Sequence, residues 1–290
     1  MAARIPTFAL ATAALLCSGC NVGAPPAAPS LAALAPASAH TTRWIPAPGT
    51  TYQIQYDGNY DASVPAAVYD IDMFDSPQRF IDKLHAMRRK VVCYISVGTW
   101  ENWRPDAAEF PKSVIGHPDG GWKGERWLDV TKRHILEPIM TARLQMCKKK
   151  GFDGVDPDNM DGYENHTGFK ISYQQQLAYD TWVATKAHAL GLTADEKGDN
   201  DQVKDLSKVF DFAVTEECWK QNWCNEFAMY PARKALVIDV EYGLPPATFT
   251  SNACANTARY GENAILKHLN LNAWIVTCPA SSGRSRSRRR

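Results

Sequence analysis

The chain has 290 residues, 45% of them hydrophobic, with eight cysteines and a net charge of +1. That hydrophobic share supports a sizeable core, and the length suits one large domain or two small ones. Arg4 and the five arginines of Arg284–Arg290 supply six positive charges, so the rest of the chain carries −5. A mildly acidic body argues against nucleic acid as a partner and suits a neutral or cationic ligand.

Arg4 followed by the apolar Phe8–Leu16 predicts an export signal over residues 1–20. Leu16-Cys17-Ser18-Gly19-Cys20 resembles a bacterial lipobox, with Cys20 as the residue to be lipidated. Cys17 stands where that pattern wants leucine, so an ordinary cleaved signal is the alternative. Residues 21–42, rich in Ala and Pro, read as a tether, and residues 281–290 as a basic disordered tail.

Eight β-type runs follow: Thr51–Tyr56, Ala66–Phe74, Lys90–Gly98, Phe152–Asp158, Leu192–Glu196, Phe210–Thr215, Ala235–Glu241 and Asn272–Cys278. Helical patterns lie between most of them. Ser76-Pro77 opens the first, with Ser76 as N-cap and Phe80, Leu84 and Met87 on one face. Ile135–Lys150 ends in three lysines before Gly151, as the helix dipole and a left-handed cap favour. Tyr173–Leu190 stops at Gly191, Gln202–Val209 is short, and Ala253–Leu269 is irregular. Strands alternating with helices predict a single-domain α/β fold over residues 43–280, a (β/α)₈ TIM-type barrel. An open α/β sheet is the alternative. Only a dozen residues with turn chemistry separate the first two runs, so the first helix is expected to be degenerate or missing.

Six cysteines lie beyond the signal, an even number that suits disulfides in an oxidising compartment. Cys218–Cys224 would brace the segment after Glu216, Cys254–Cys278 would tie the last helix to the last strand, and Cys93–Cys147 would pair by exclusion. Cys93 as a buried free thiol is the competing reading.

In a barrel, side chains at the C-terminal strand ends converge on one pocket. Here those ends carry Asp70 and Asp72; Trp100; Asp156, Asp158 and Asn159; Lys197 and Asp199; Glu216 and Glu217; Glu241 and Tyr242. Two converged carboxylates are the equipment for cleaving a glycosidic bond. Period two puts Asp156 and Asp158 on one face. It also puts Phe212, Val214 and Glu216 on one face and Glu217 on the other, without saying which face meets the pocket. Competing chemistries lack their signatures. Met160 interrupts a calcium-loop spacing, Tyr94-Ile-Ser-Val-Gly98 lacks the first glycine of a nucleophile elbow, and no His-x-x-x-His occurs. No metal or organic cofactor is expected. Trp100, Trp103, Trp122 and Trp127 suit stacking on sugar rings or packing of their own loop.

Tyr69-Asp-Ile-Asp-Met-Phe-Asp75, Cys93-Tyr-Ile-Ser-Val-Gly98, Trp127-Leu-Asp129, Gly151-Phe-Asp-Gly-Val-Asp-Pro-Asp-Asn-Met-Asp161, Phe212-Ala-Val-Thr-Glu-Glu-Cys218 and Val240-Glu-Tyr242 together resemble glycoside hydrolase family 114. The resemblance spans roughly Trp44 to Cys278. It implies a (β/α)₈ endo-α-1,4-polygalactosaminidase acting on galactosamine-containing polysaccharide with retention. By motif position it implies Asp158 as nucleophile and Glu216 as general acid/base. Asp70, Asp72, Asp199 and Glu241 would hold the amino groups of a cationic polymer, with Asp156, Asn159, Lys197, Tyr242 and Trp100 as further substrate contacts. Two departures stand out: Lys197-Gly198-Asp199 where the family has Lys-Asn-Asp, and Thr215 where Asn is common. A secreted or lipid-anchored monomer follows from the whole reading. A non-catalytic polysaccharide-binding barrel of an exopolysaccharide system, or an endo-glycosidase on another α-linked glycan, is the alternative.

Overall fold

The computed structural model describes residues 43–279. The expected signal, the lipobox Cys20, the 21–42 tether and the 281–290 tail lie outside the described residues. Within them the strands are β1 (Tyr52–Gln55), β2 (Val68–Asp72), β3 (Lys90–Ser96), β4 (Thr99–Glu101), β5 (Ile115–Pro118), β6 (Glu125–Leu128), β7 (Gly154–Asp158), β8 (Thr193–Lys197), β9 (Phe212–Glu216), β10 (Val237–Tyr242), β11 (Asn263–Lys267) and β12 (Ile275–Thr277). The long helices are α1 (Gln78–Ala86), α2 (Arg133–Lys150) and α3 (Tyr173–Ala189). No described helix is long and apolar enough to cross a membrane.

The main sheet runs β1-β2-β3-β7-β8-β9-β10-β11-β12. Every neighbouring pair from β1 to β11 is parallel, and only β12 is antiparallel. Eight parallel strands thus form the TIM-type barrel, with no helix between β1 and β2. Alternate residues divide it into two cores. Tyr52, Ile54, Val68, Val92, Phe212, Val214, Ile238, Val240 and Ile265 fill the lumen. Tyr69, Ile71, Val91, Cys93, Ile95, Val155 and Ala213 pack outward against the helices.

The eighth barrel strand differs from expectation. It is Asn263–Lys267, which the pattern merged into an irregular helix, while the expected strand Asn272–Cys278 shrinks to the antiparallel β12. The helix ends at Tyr260, capped by Gly261 at φ 81°. A buried five-residue run beginning two residues later has too few positions for its period to declare itself. Side chains join β11 to β1: Lys267 Nζ donates to Gln53 Oε1 at 2.9 Å, Asn263 Nδ2 to the Thr50 carbonyl at 3.1 Å, and Gln53 Nε2 to the Ala273 carbonyl at 2.9 Å.

The α1 start also moves. Pro77 occupies the cap position in an extended conformation, no side chain caps the helix, and Ser76 Oγ has no partner. Phe80, Ile81 and Leu84 are buried, whereas Met87 lies past the helix and is exposed. α2 ends at Gly151, φ 88°, as its lysines suggested, and Ser172 with Gln175 forms a capping box on α3. All three expected disulfides are present: Cys93–Cys147 pins β3 to α2, Cys218–Cys224 braces the segment after β9, and Cys254–Cys278 joins the last helix to the end of β12.

Candidate active site

The C-terminal ends of the barrel strands open on a cleft of about 780 Å³ whose walls include Asp158, Asn159, Lys197, Glu216, Glu217 and Tyr242. Lys197 sits at its base. Its Nζ lies 3.6 Å from Asp158 Oδ1 and 3.3 Å from Asp156 Oδ2. Burial opposes its charge, but Asp156, Asp158 and Glu216 outweigh burial and hold the ammonium well above its usual pKa. Asp158 also accepts a hydrogen bond from Tyr94 Oη at 3.0 Å, and its side chain is 24% exposed.

Glu216 continues the lumen face of Phe212 and Val214, and accepts a bond from Tyr242 Oη at 2.5 Å. Burial pushes its carboxyl above the usual range; the Lys197 charge offsets part of this and the Asp158 charge adds to it. Two carboxylates from β7 and β9 therefore flank one ammonium in unlike surroundings. Both are partly exposed and each is held by a phenol, but Asp158 is ion-paired with Lys197, whereas at Glu216 desolvation favours the proton.

Asn159 follows Asp158 at φ 63°, a conformation Asn tolerates better than most residues. Its Oδ1 accepts from Ser96 Oγ at 2.8 Å and lies 3.1 Å from Thr99 Oγ1, whose one proton goes to Glu125. Its carbonyl lies where a Cβ on Gly98 would be, at 1.7 Å, so only glycine fits at 98. Gly198 takes φ 65° on the cleft wall. That left-handed backbone suits Gly or Asn, which accounts for the exchange seen in the motif.

Several expected substrate contacts are used by the fold instead. Asp72 is sealed in an ion cluster, with Arg104 Nη1 at 2.7 Å from it and Nη2 at 2.8 Å from Glu101. Asp199 accepts from Tyr163 Oη and the Gln202 amide. Glu241 accepts the Trp219 and Lys220 amides at the start of the short helix Cys218–Gln221. Asp70 and Asp156 lie inside the barrel with no exposure, sharing Tyr56. Trp100 packs on the outer core with its indole donating to the Ala107 carbonyl, away from the cleft wall. Thr215 is fully buried and donates to Asp239, so it does not face a sugar. Buried rim carboxylates find donors in the molecule itself because an unpaired buried charge is costly.

Glu216 and Glu217 both line the cleft, against the period-two expectation, because Glu217 leaves the strand at φ 56°. Its carboxylate pairs with Lys220. Sequence reasoning also missed Asp119 and Glu164 on the cleft wall, which sit in irregular segments without a periodic signal. Glu164 is pushed up to about 7 by burial and the neighbouring Asp201. Tyr94 was legible: counting by two from Ser96 puts it on the lumen face of β3. Of the four tryptophans, Trp127 reaches the cleft, and Trp103 and Trp122 are exposed elsewhere.

A nearly closed barrel of parallel strands bearing paired acids at its C-terminal mouth defines a barrel hydrolase of the sugar-cleaving type. Residues 33–283 match the model of glycoside-hydrolase family GH114, and the chain belongs to that family. It is accordingly an endo-acting glycoside hydrolase. Among solved structures it is similar to Ega3 of Aspergillus fumigatus in complex with galactosamine, at 35% identity and TM-score 0.78, covering 82% of this chain and 98% of that one. The glycoside hydrolase domain of PelA from Pseudomonas aeruginosa shares the fold at 12% identity and TM-score 0.63, covering 79% and 98%. A GH18 chitinase from Pseudoalteromonas aurantia shares it at 9% identity and TM-score 0.50, covering 76% and 93%. No curated protein matches the chain.

Proposed function

We propose that this chain is an exported endo-hydrolase of α-1,4-linked galactosamine polymer acting with retention, with Asp158 as nucleophile and Glu216 as general acid/base. The observation that carries the reading is the carboxylate pair around Lys197, Asp158 ion-paired with it and Glu216 inclined to its proton. The Tyr94 phenol and the Lys197 ammonium fix Asp158 facing the cleft. Burial keeps Glu216 inclined to hold its proton until a leaving oxygen takes it. Asp158 would attack the anomeric carbon as Glu216 protonates the glycosidic oxygen; Glu216 would then take a proton from the water that releases the sugar.

The substrate class is supported by the 35%-identical relative solved with galactosamine. It is also supported by the cleft wall, where Asp119, Asp161, Glu164 and Glu217 offer carboxylates to cationic amino groups. These replace the buried Asp70, Asp72, Asp199 and Glu241 in that role. Three disulfides suit an oxidising compartment and hence export. Attachment through Cys20 belongs to the same proposal.

The test is digestion of de-N-acetylated α-1,4-galactosamine polymer by the protein, with mass spectrometry of soluble products and proton NMR of the first reducing ends formed. Oligomers born in the α configuration are expected. Newly formed β ends would replace retention by inversion, and no oligomers would remove the substrate assignment.

A further inference from the structure

Below Lys197, the lumen holds three carboxyls from three strands: Asp70 on β2, Asp156 on β7 and Asp195 on β8, none with any exposure. Their donors are few. Tyr56 Oη lies 2.7 Å from Asp156 Oδ2 and 3.1 Å from Asp70 Oδ2, but a phenol has one proton to give. Tyr52 Oη donates to Asp70 at 3.3 Å. Lys197 is the one cation paired with this layer among the described residues. Asp70 Oδ1, Asp156 Oδ1 and both oxygens of Asp195 have no donor. Asp70 and Asp156 crowd the same Tyr56 hydroxyl, and Asp195 follows Ala194, the register partner of Val155, which puts it beside Asp156. Carboxyls crowded together with so few donors are satisfied only where some of them carry protons and donate to a neighbour.

Three buried anions against one ammonium would leave two buried charges without a counter-charge, which desolvation strongly disfavours. We propose that the three carboxyls carry a single negative charge, on Asp156, with Asp70 and Asp195 as neutral acids donating to it, and that this layer is the positioning device that sets Lys197 against Asp158. The proposal rests on the catalytic reading of Asp158. Burial and the neighbouring Asp156 charge push both Asp70 and Asp195 well above the usual range. Burial would raise Asp156 too, but Lys197, Tyr56, Asp195 and Asp70 outweigh it and hold Asp156 below its usual value. The other titratable groups facing the layer are Tyr52 and Tyr56 from β1 and the segment after it, Tyr94 from β3, and Asp158 and Glu216 above Lys197. None of them brings a second cation. Asp156, assigned from the sequence to substrate, is then a positioning residue that no substrate touches.

A protonated aspartic acid and an asparagine have the same shape and both can donate to Asp156, whereas asparagine at 156 removes the charge that anchors Lys197. The experiment compares Asp70→Asn, Asp195→Asn and Asp156→Asn in the full protein by infrared difference spectroscopy at pH 7, thermal unfolding, and kcat and KM on galactosamine polymer. Asp195→Asn and Asp70→Asn should each delete one protonated-carboxyl carbonyl band, fold normally and keep kcat within about threefold. Asp156→Asn should lower kcat by about a hundredfold with KM nearly unchanged, because Lys197 and Asp158 lose their register. An Asp195→Asn protein that loses no such band, fails to fold or loses as much kcat as Asp156→Asn overturns the proposal. If the wild type leaves the polymer intact, the substrate assignment fails separately, and the bands and unfolding still decide the charge count.

Discussion

Asp158 and Glu216 differ in what surrounds them, and this difference is what single substitutions will read. Removing either carboxylate by Asp158→Asn or Glu216→Gln, shapes nearly unchanged, should lower kcat on galactosamine polymer at least about a hundredfold without unfolding. The check is steady-state kinetics beside circular dichroism. On the proposed mechanism Glu216 also sets a pH limit. Its folded pKa is raised, so the protonated acid needed for leaving-group departure persists above the usual carboxylate range and is lost as pH rises through the raised value. Lys197→Met removes a charge that opposes this rise, so the alkaline limb of kcat should move to higher pH as overall activity falls. An unmoved limb would mean that another group controls it. Glu216 was legible from period two and motif position together, because a strand's alternation survives into the barrel. Glu217 was not, because one residue at φ 56° swings it back over the cleft.

At the level of elements, the Asp158-Asn159 step is held by a neighbouring turn as much as by β7. Gly98 leaves room for the Asn159 carbonyl, and Ser96 holds its amide oxygen. Gly98→Ala should therefore displace that step, lowering kcat and costing about 1–3 kcal/mol of stability by overpacking. Urea unfolding would measure the second effect. Breaking Cys93–Cys147 with paired serines should cost roughly 2–5 kcal/mol, since the bridge closes 54 residues and ties β3 to the outer helix layer. A melting temperature unchanged by the double substitution would refute this. The misread element is the last strand. Asn263–Lys267 is buried along nearly its whole length, so it shows neither alternation nor helical stripe, and pairing with β10 alone reveals it.

Taken as a whole, the molecule buries an unusual number of acids that prefer to stay neutral. Burial raises Glu262 and Glu125 to about 8 each, and Asp199 to about 7. In this window the folded state holds protons that the unfolded chain has released, so stability must fall as pH rises from about 4.5 towards 8, by up to about 1.4 kcal/mol per pH unit per group. Lys267 acts in the opposite sense higher up. Burial lowers it to about 7, so between there and its unfolded value rising pH favours the fold. Melting temperatures from pH 5 to 8 should decline, and Glu262→Gln, which deletes a buried carboxylate without hydrogen-bond partners, should flatten the decline. An equal slope in that variant would show that Glu262 is ionised in the fold.

The amino-acid sequence by itself determined the barrel class and the cysteine pairs, and placed Asp158 and Glu216 at the ends of two of its strands. Strand alternation, helix stops and cysteine parity are local signals that folding preserves. Only the tertiary structure decided which rim carboxylates face the cleft. Asp72, Asp199 and Glu241 look equivalent to Asp158 along the chain, yet Arg104, Tyr163 and two helix amides claim them, and those partners come from distant segments. The charge of a buried acid depends on which donors the fold brings within 3 Å of it, and no spacing along the chain encodes that.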